Sequence, residues 1–503
     1  MEVLLGYAFA NPTYKIGKYS KKMTSNNYQS VSPPLEVTIP KVDTLTMFRL
    51  GLFNLGIGLI SVLTLAVLNR VMIAELGIPA SIAAGVLAIS QLVSPTRIWL
   101  GQLSDGKKLF GFHRTGYIRL GVIISGIAIF LAIQLVWLLG SNVIVNNGWQ
   151  WNNVTVLISI ILAIVFIIQG IATGASSTPF TALLVDISDE DNRSKIVATI
   201  WSMLMVGIVI GGISGKVLLK NLGAEDGQTI PLTTLQPPIN GIFLVVPIIV
   251  IILTMIATWG VERKFSRYRQ RSSFADREEG VSFKKALKIL TSSRQTGIFF
   301  SFLVMITLSL FMQEAVLEPY GAEVFSMPIG DTTLLNSFWG IGILLGYGTT
   351  GFLVVPRLGK TNTTRLGCIL VASSFSLIIL AGLTQTPSVL KGSMVLFGIA
   401  AGITTIGSIS LMLDLTAAET AGTFVGAWGL AQSLSRGIAI ALGGWILDIG
   451  RIIFNNAWLA YSFVFVCEAL CIVGAIALLN KVNVNEFQAT TRQATAMVME
   501  EDL

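Results

Sequence analysis

The sequence predicts an all-α integral membrane protein, a twelve-helix bundle made of two six-helix pseudo-repeats. Three observations support this. Of the 503 residues, 53% are hydrophobic and only 12% are charged, whereas soluble domains carry about 25% charged residues. About a dozen apolar segments approach or exceed the roughly 20 residues that a helix needs to cross a bilayer. Finally, motifs of the first half recur in the second half in the same order.

The predicted spans form two groups of six, separated by a long charged connection. Because lipid offers backbone groups no hydrogen-bonding partner, each span is expected to be a helix. The spans lie near 48–73, 79–104, 116–140, 153–185, 195–218, 239–261, 296–319, 331–355, 364–384, 389–413, 423–447 and 456–480. We accordingly divide the chain into a flexible cytoplasmic tail (1–45), a first half (46–262), a cytoplasmic linker (263–295), a second half (296–480) and a cytoplasmic tail (481–503).

The distribution of Lys and Arg predicts the orientation. These residues concentrate in the first tail, in 107–114, in the linker and in 357–365, whereas the loop 141–152 has no charge at all. Basic loops stay on the cytoplasmic side of a membrane, so both termini are expected there. The net charge of +7 therefore indicates topology, and no nucleic-acid partner is expected.

The two halves of the chain share motifs. Gly101-x-Leu103 recurs as Gly351-x-Leu353, and Val185-Asp186 with its two following residues recurs at Leu413-Asp414. Two matches in the same order, about 230 to 250 residues apart, indicate duplication, and parallel six-helix repeats are a known transporter architecture. Glycines four residues apart would also let helices approach closely: Gly207/Gly211/Gly215, Gly342/Gly346 and Gly398/Gly402.

Several kinds of chemistry are not expected. The chain has no Gly-Lys-Ser/Thr phosphate loop, and its only histidine, His113, lies in a predicted loop. A multi-histidine metal site is therefore excluded, and histidine-assisted acyl transfer is not expected. The three cysteines lie within predicted spans, where small apolar packing is the default role. No enzymatic activity is expected.

Charged residues cluster where the second predicted span meets the following loop. Gly101 permits close contact between helices. Asp105 can cap a neighbouring helix or bind basic residues across the cytoplasmic face. We call the whole set the latch and expect it to stabilise one conformation of a carrier. A solvated polar face is an equally good interpretation, because surface ion pairs are weak. The latch consists of Gly101, Asp105, Lys107, Lys108, Arg114, Asp186 and Arg193.

Charges also occur inside the predicted spans. Each costs roughly 2.5 to 3.5 kcal/mol near the bilayer centre, so it normally faces the bundle interior and has a partner. Arg97 is expected to pair with Glu314 or Glu318, whereas Glu468 is the weakest candidate because a twelfth helix often lies at the periphery. The proposed cavity residues are Asn54, Gln91, Arg97, Gln313, Glu314, Glu318, Asn336, Gln432 and Arg436.

Glu314 and Glu318 are four residues apart and so share one helix face. Two neighbouring carboxylates can differ in proton affinity, as a proton-coupled carrier requires, or can offer oxygen ligands to magnesium. Alternatively, Glu318 simply lies at the outer interface. Pro319 is expected to end or kink the helix there.

Three segments together resemble the bacteriochlorophyll-delivery family, the PucC-like branch of the major facilitator superfamily. They are residues 94–105 (SPTRIWLGQLSD), 111–118 (GFHRTGYI) and 313–321 (QEAVLEPYG). The third is the most specific, and the likeness extends over roughly 46–480. Gly116 departs from the family pattern, which has proline before the tyrosine.

The resemblance implies a protein that handles or delivers chlorophyll-type pigment and assists assembly of light-harvesting or photosystem complexes. It also implies a thylakoid or photosynthetic inner membrane, with nascent antenna polypeptides and pigment-synthesis enzymes as partners. The cargo would be chlorophyll or bacteriochlorophyll. Its magnesium would take an axial oxygen from Glu314 or Glu318, or else from Asn54, Asn336, Gln91, a backbone carbonyl or water. The alternatives are a proton-coupled secondary transporter of a small solute and a scaffold for antenna helices.

Overall fold

The computed structural model describes residues 41–188, 193–220, 222, 231–266, 294–415 and 421–483. Within these ranges the chain is helical, and its only β-type pairing is an isolated bridge between Leu109 and Phe112. Most of both predicted tails and of the linker 263–295 lies outside the described residues. The side chains of Arg193 and Asp414, which belong to the predicted latch and repeat, also lie outside them.

Twelve long helices run through the described part of the chain. Eleven of them are long and apolar enough to cross a membrane, and the remaining one, α11, carries Arg436, Asp448 and Arg451. The all-α membrane bundle is thereby confirmed. The helices are α1 Thr44–Glu75, α2 Ala80–Gly106, α3 Thr115–Val145, α4 Asn153–Ile187, α5 Arg193–Leu218, α6 Leu232–Thr258, α7 Arg294–Phe311, α8 Ile329–Thr349, α9 Lys360–Leu383, α10 Pro387–Leu415, α11 Ala421–Ile453 and α12 Ala457–Leu479.

Four of these helices are irregular where the sequence predicts continuous spans. One of them, α8, continues beyond Thr349 as a π-helical stretch, Thr350–Val354, and a short helix, Val355–Leu358. α1 is π-helical over Leu63–Leu68 and Val71–Glu75, and α2 is interrupted by a turn at 93–95. α7 passes into a 3-10 turn, Met312–Ala315, and then a short helix, Leu317–Glu323. The helix is interrupted near Pro319, where an end or kink is expected, but α7 ends at Phe311, before the proline. Pro319 lies in the first turn of the new helix, where its missing N–H does no harm.

The helices of each half pack mainly with one another. In the first half α1 packs against α5 and α6, and α3 against α4; in the second, α10 packs against α8 and α9, and α12 against α7 and α9. Gly342 of α8 and Gly398 of α10 face each other so closely that a Cβ on Gly398 would lie 2.9 Å from the Gly342 Cα. The expected close approach at these glycines is confirmed.

The two halves meet through α2 with α11 and α5 with α8. We call the end of the bundle that carries residues 107–114 and Gly359 the basic face, and the other end the opposite face. Asp448 of α11 accepts hydrogen bonds from the N–H groups of Ala80 (3.1 Å) and Ser81 (2.8 Å) at the start of α2. Lys216 of α5 pairs with Asp331 of α8 at 3.2 Å. These contacts hold the halves together at the opposite face.

Candidate functional site

Arg70 of α1 links the two halves at the opposite face. Its Nη1 donates to Thr332 Oγ1 of α8 at 2.6 Å, and its Nε and Nη2 donate to Glu75 Oε1 at 3.3 and 3.2 Å. The side chain is buried, so these bonds replace its hydration. The π-helical stretches on either side of Arg70 alter the direction in which α1 presents its side chains, and such irregularities are frequent at functional sites.

The neighbouring Asn69 contacts the interruption of α7. Its Nδ2 donates to the backbone carbonyl of Ala315 at 2.9 Å, at the end of the 3-10 turn. A helix interruption inside a bilayer leaves backbone groups that need other partners. Asn69 supplies one of them from the other half of the protein, and Gln313 is buried within the same turn.

Glu314 forms its ion pair with Arg436 of α11. Arg436 Nη2 lies 2.6 Å from Glu314 Oε1, and Arg436 Nε lies 3.0 Å from Glu314 Oε2. The guanidinium also lies 4.6 Å from the ring centroid of Phe311, within the range of a cation–π interaction. A bidentate pair is among the stronger polar contacts in proteins. Because Arg436 engages both oxygens of Glu314, this carboxylate is the less available of the two predicted axial ligands, and the ligation itself stays a prediction.

Glu318 lies one turn further along, in the helix Leu317–Glu323, and is 3% exposed. Its Oε1 accepts a hydrogen bond from Asn336 Nδ2 of α8 at 2.7 Å. Its Oε2 has no hydrogen-bond partner among the described residues. The alternative that Glu318 simply lies at a wet outer interface is therefore wrong. Glu318 is a buried acid with one oxygen committed and one available.

The other predicted cavity residues occupy several places. Asn54 donates to the carbonyl of Ile200 at 3.2 Å within the first half, and Gln432 accepts from Trp428 Nε1 at 2.6 Å. Gln91 packs against Gly437 across the α2–α11 contact, and Arg97 packs against Gly174 of α4. The structure thus brings Glu314, Glu318, Asn336 and Arg436 around the α7 interruption. The pairing of Arg97 with Glu314 or Glu318 stays a prediction.

Arg114 lies at the centre of the latch at the basic face. Its Nε donates to Asp186 Oδ2 at 3.0 Å, its Nη1 donates to Ser104 Oγ at 2.7 Å, and it pairs with Asp105. Burial alone would lower the pKa of the Arg114 guanidinium, but the carboxylates of Asp186 and Asp105 together raise it above its ordinary value. These residues belong to the ends of α2, α3 and α4. The latch therefore ties together three helices of one half.

Other members of the latch lie at its edge, and their predicted role in stabilising one conformation stays a prediction. Lys107 and Lys108 are exposed, and a Cβ on Gly101 would lie at an ordinary contact distance of 3.4 Å from Thr178. The expected helix cap is provided by a different acid, Glu262. Its carboxylate accepts from the N–H groups of His113, Arg114 and Thr115 at the start of α3, at 2.7 to 3.3 Å.

Glu468 of α12 was the weakest candidate by sequence, yet it is fully buried. Neither of its carboxyl oxygens has a hydrogen-bond partner in the described part of the chain. α12 does expose other side chains, such as Leu470 and Val473, but the face that carries Glu468 lies against the interruption of α7, beside the backbone of Gln313.

Sequence reasoning missed Asn69, Arg70 and Glu262. A signal was present for the first two, because Asn-Arg lies inside a predicted span and an intramembrane arginine is by default a candidate site residue. Glu262 has no such signal, since a single acid after an apolar span is ordinary.

Comparisons with known proteins agree with this architecture. A family model described as PUCC protein matches residues 67–487. The chain is 28% identical over 456 residues to a protein of Rhodobacter capsulatus named Protein PucC, covering 88% of this chain and 94% of that one. It is also 27% identical over 437 residues to the Bacteriochlorophyll synthase 44.5 kDa chain of Rhodobacter capsulatus, covering 86% and 94%.

Among solved structures, the nucleoside transporter NupG superimposes with a TM-score of 0.62 at 14% sequence identity, covering 89% of this chain and 99% of that one. At this identity the likeness concerns the fold. The chain therefore shares the helical fold of that protein.

Proposed function

The chain belongs to the PUCC protein family, and from this membership together with the buried acids at the α7 interruption we propose that it handles or delivers chlorophyll-type pigment. In this role it assists the assembly of light-harvesting or photosystem complexes and catalyses no reaction of its own. The proposal extends to its location in a photosynthetic membrane, with the basic face and both termini on the cytoplasmic side. Nascent antenna or photosystem polypeptides and pigment-synthesis enzymes are the proposed partners.

The observation that carries this proposal is the state of Glu318. A chlorophyll magnesium is a hard cation that takes oxygen ligands, and Glu318 Oε2 is a buried carboxylate oxygen without a hydrogen-bond partner in the described residues. Asn336 holds the other oxygen at 2.7 Å and so fixes the carboxyl group. Glu314 is committed to Arg436, which leaves Glu318 as the better axial ligand of the two acids.

Glu318 is covered in this conformation, so a pigment reaches it only after the halves rearrange. The contacts between the halves at the opposite face correspond to a state closed on that side. A weak oxygen ligand that becomes accessible in one state and is covered in another suits a carrier that must release its cargo.

The absorption spectrum of the gently purified protein tests the proposal. We expect a chlorophyll-type band in the wild type and a several-fold lower pigment-to-protein ratio in Glu318→Gln. The matched control is Glu323→Gln, which changes an acid of the same short helix that pairs with Arg451 near the surface and should leave the ratio unchanged. A wild-type protein without pigment, or equal ratios in both variants, contradicts the proposal.

A second candidate function is secondary transport of a small solute coupled to protons. It is favoured by the partly exposed Arg436, whose side chain is 22% accessible and can meet an anionic group while bound to Glu314. This function predicts solute-stimulated proton uptake in proteoliposomes, and it predicts no pigment in the purified protein.

A further inference from the structure

Glu468 is an ionisable residue in surroundings that favour an uncharged side chain. The side chain is 0% exposed, and neither oxygen accepts a hydrogen bond within the described residues. The backbone N–H of Gln313 faces the carboxyl group, but the contact does not have the geometry of a hydrogen bond. An ionised carboxylate in such surroundings is strongly unfavourable, whereas a neutral carboxyl group is tolerated. Glu468 therefore carries a proton in this conformation.

The titratable groups around α12 do not change this conclusion. On α12 itself, Cys467 and Cys471 flank Glu468 and are thiols of little charge. On the elements packed against α12, most charged groups have known partners: Glu314 binds Arg436, Glu318 binds Asn336, Arg451 binds Glu323 and lies near Asp448, and Arg365 binds Asn480. Two further cations, Arg294 and Lys360, lie at the first residues of α7 and α9. Cys368 of α9 is a buried thiol. No described cation is placed to neutralise an ionised Glu468.

The group next to Glu468 is the turn Met312–Ala315. A single 3-10 turn has poorer hydrogen-bond geometry than an α-helix and often marks a hinge. This turn carries Glu314, which binds Arg436 of α11, and it receives Asn69 from α1. A movement of the turn therefore reaches both the ion pair and the contact between the halves.

We infer that Glu468 is a proton-binding site, and that binding and release of this proton are coupled to a movement of the turn Met312–Ala315. Release breaks the carboxyl O–H bond and passes the proton to water, so it requires a conformation in which water reaches Glu468. In the closed arrangement described above, the proton is retained. Intramembrane acids with these properties form proton relays in other carriers. The site does not depend on the identity of the cargo.

Infrared spectroscopy of the purified protein tests proton occupancy. The wild type should show a protonated-carboxyl band that is absent from Glu468→Gln. In the wild-type-minus-variant difference spectrum, this band should disappear as the pH is raised. Glutamine is the neutral isostere of the protonated acid, so this variant should fold. Glu468→Leu is a second neutral variant that should also lack the band. Identical carboxyl bands in wild type and both variants would overturn the assignment.

Hydrogen–deuterium exchange of the peptide that contains residues 312–317 tests the coupling. Protection in the wild type should fall as the pH rises, after correction for the intrinsic exchange rate, whereas Glu468→Gln should keep its protection at every pH. Glu323→Gln, at the surface of the same region, should follow the wild type. The same pH profile in wild type and Glu468→Gln would refute the coupling, whatever the result for pigment.

Discussion

Arg436 of α11 and Glu314 of the α7 turn form a bidentate ion pair, with nitrogen–oxygen distances of 2.6 and 3.0 Å. The pair joins the long helix α11 to the 3-10 turn that follows α7, and Phe311 covers the guanidinium. Its two charges neutralise each other within the bundle, which is the condition under which ionised groups persist there.

Removing the acid of this pair should destabilise the protein. Glu314→Gln deprives Arg436 of the carboxylate that it binds, which costs about 3 kcal/mol for a largely buried pair. The double variant Glu314→Gln/Arg436→Met should recover much of this loss, because no buried charge remains. Thermal unfolding in detergent measures both effects. Glu323→Gln, from a pair whose side chains are 31% and 27% accessible, should change the stability by less than about 1 kcal/mol.

The two acids that bind Arg114 should contribute unequally. The side chain of Asp186 is 9% accessible and that of Asp105 is 55% accessible, so water replaces the interaction of Asp105 more easily. Asp186→Asn should therefore lower the unfolding temperature more than Asp105→Asn. Arg114→Lys should also be destabilising, since an ammonium group cannot reproduce the planar fork of donors. Equal shifts for the two aspartate variants would show that burial does not control this cluster.

The contact between α8 and α10 should not tolerate side chains at its glycines. A Cβ on Gly398 would lie 2.3 Å from the carbonyl oxygen of Trp339, so Gly398→Ala must push the helices apart, at a cost of about 1–3 kcal/mol. Gly392 lies on the same helix with open space around it, and Gly392→Ala is the matched control. Yield of folded protein and thermal stability report the difference, which should be absent if the helices are less tightly packed than described.

Asp448 should control closure of the opposite face. It caps the start of α2 through the N–H groups of Ala80 and Ser81, and losing such a cap costs about 1 kcal/mol. Asp448→Ala should therefore increase the population in which α2 and α11 separate, as measured by distances between spin labels placed at the opposite-face ends of these helices. Asp331→Ala removes a more exposed pair with Lys216 and should have a smaller effect. A distance distribution unchanged by Asp448→Ala contradicts this role.

The fold could be predicted because it depends on patterns that persist over many residues. Apolar segments of bilayer length give the helices, and the glycines at Gly342 and Gly398 give one of the contacts. The positions of helix interruptions are harder to predict from sequence. Pro319 indicates the right region, but the turn begins at Met312, before the proline. Backbone geometry there depends on Asn69 from the other half of the chain, which no local pattern reveals.

The site could be predicted by residue type but only partly by partner. An ionisable side chain inside a span must be paired or neutral. This rule identifies Glu314, Glu318 and Arg436 as candidate site residues. Which cation meets which acid depends on how α7 and α11 face each other. Glu468 shows the same limit, because its burial follows from the packing of α12 on α7 and α9 and not from the order of the helices.

The cap formed by Glu262 contacts only main-chain atoms of residues 113–115. The cap therefore does not depend on which side chains occupy these positions, although Arg114 is separately needed for the latch. Proline is the exception, since it has no N–H to donate. A collection of functional variants of this loop should accordingly contain several residue types at 113, whereas the buried Thr115 should vary less, and proline should be depleted at both positions.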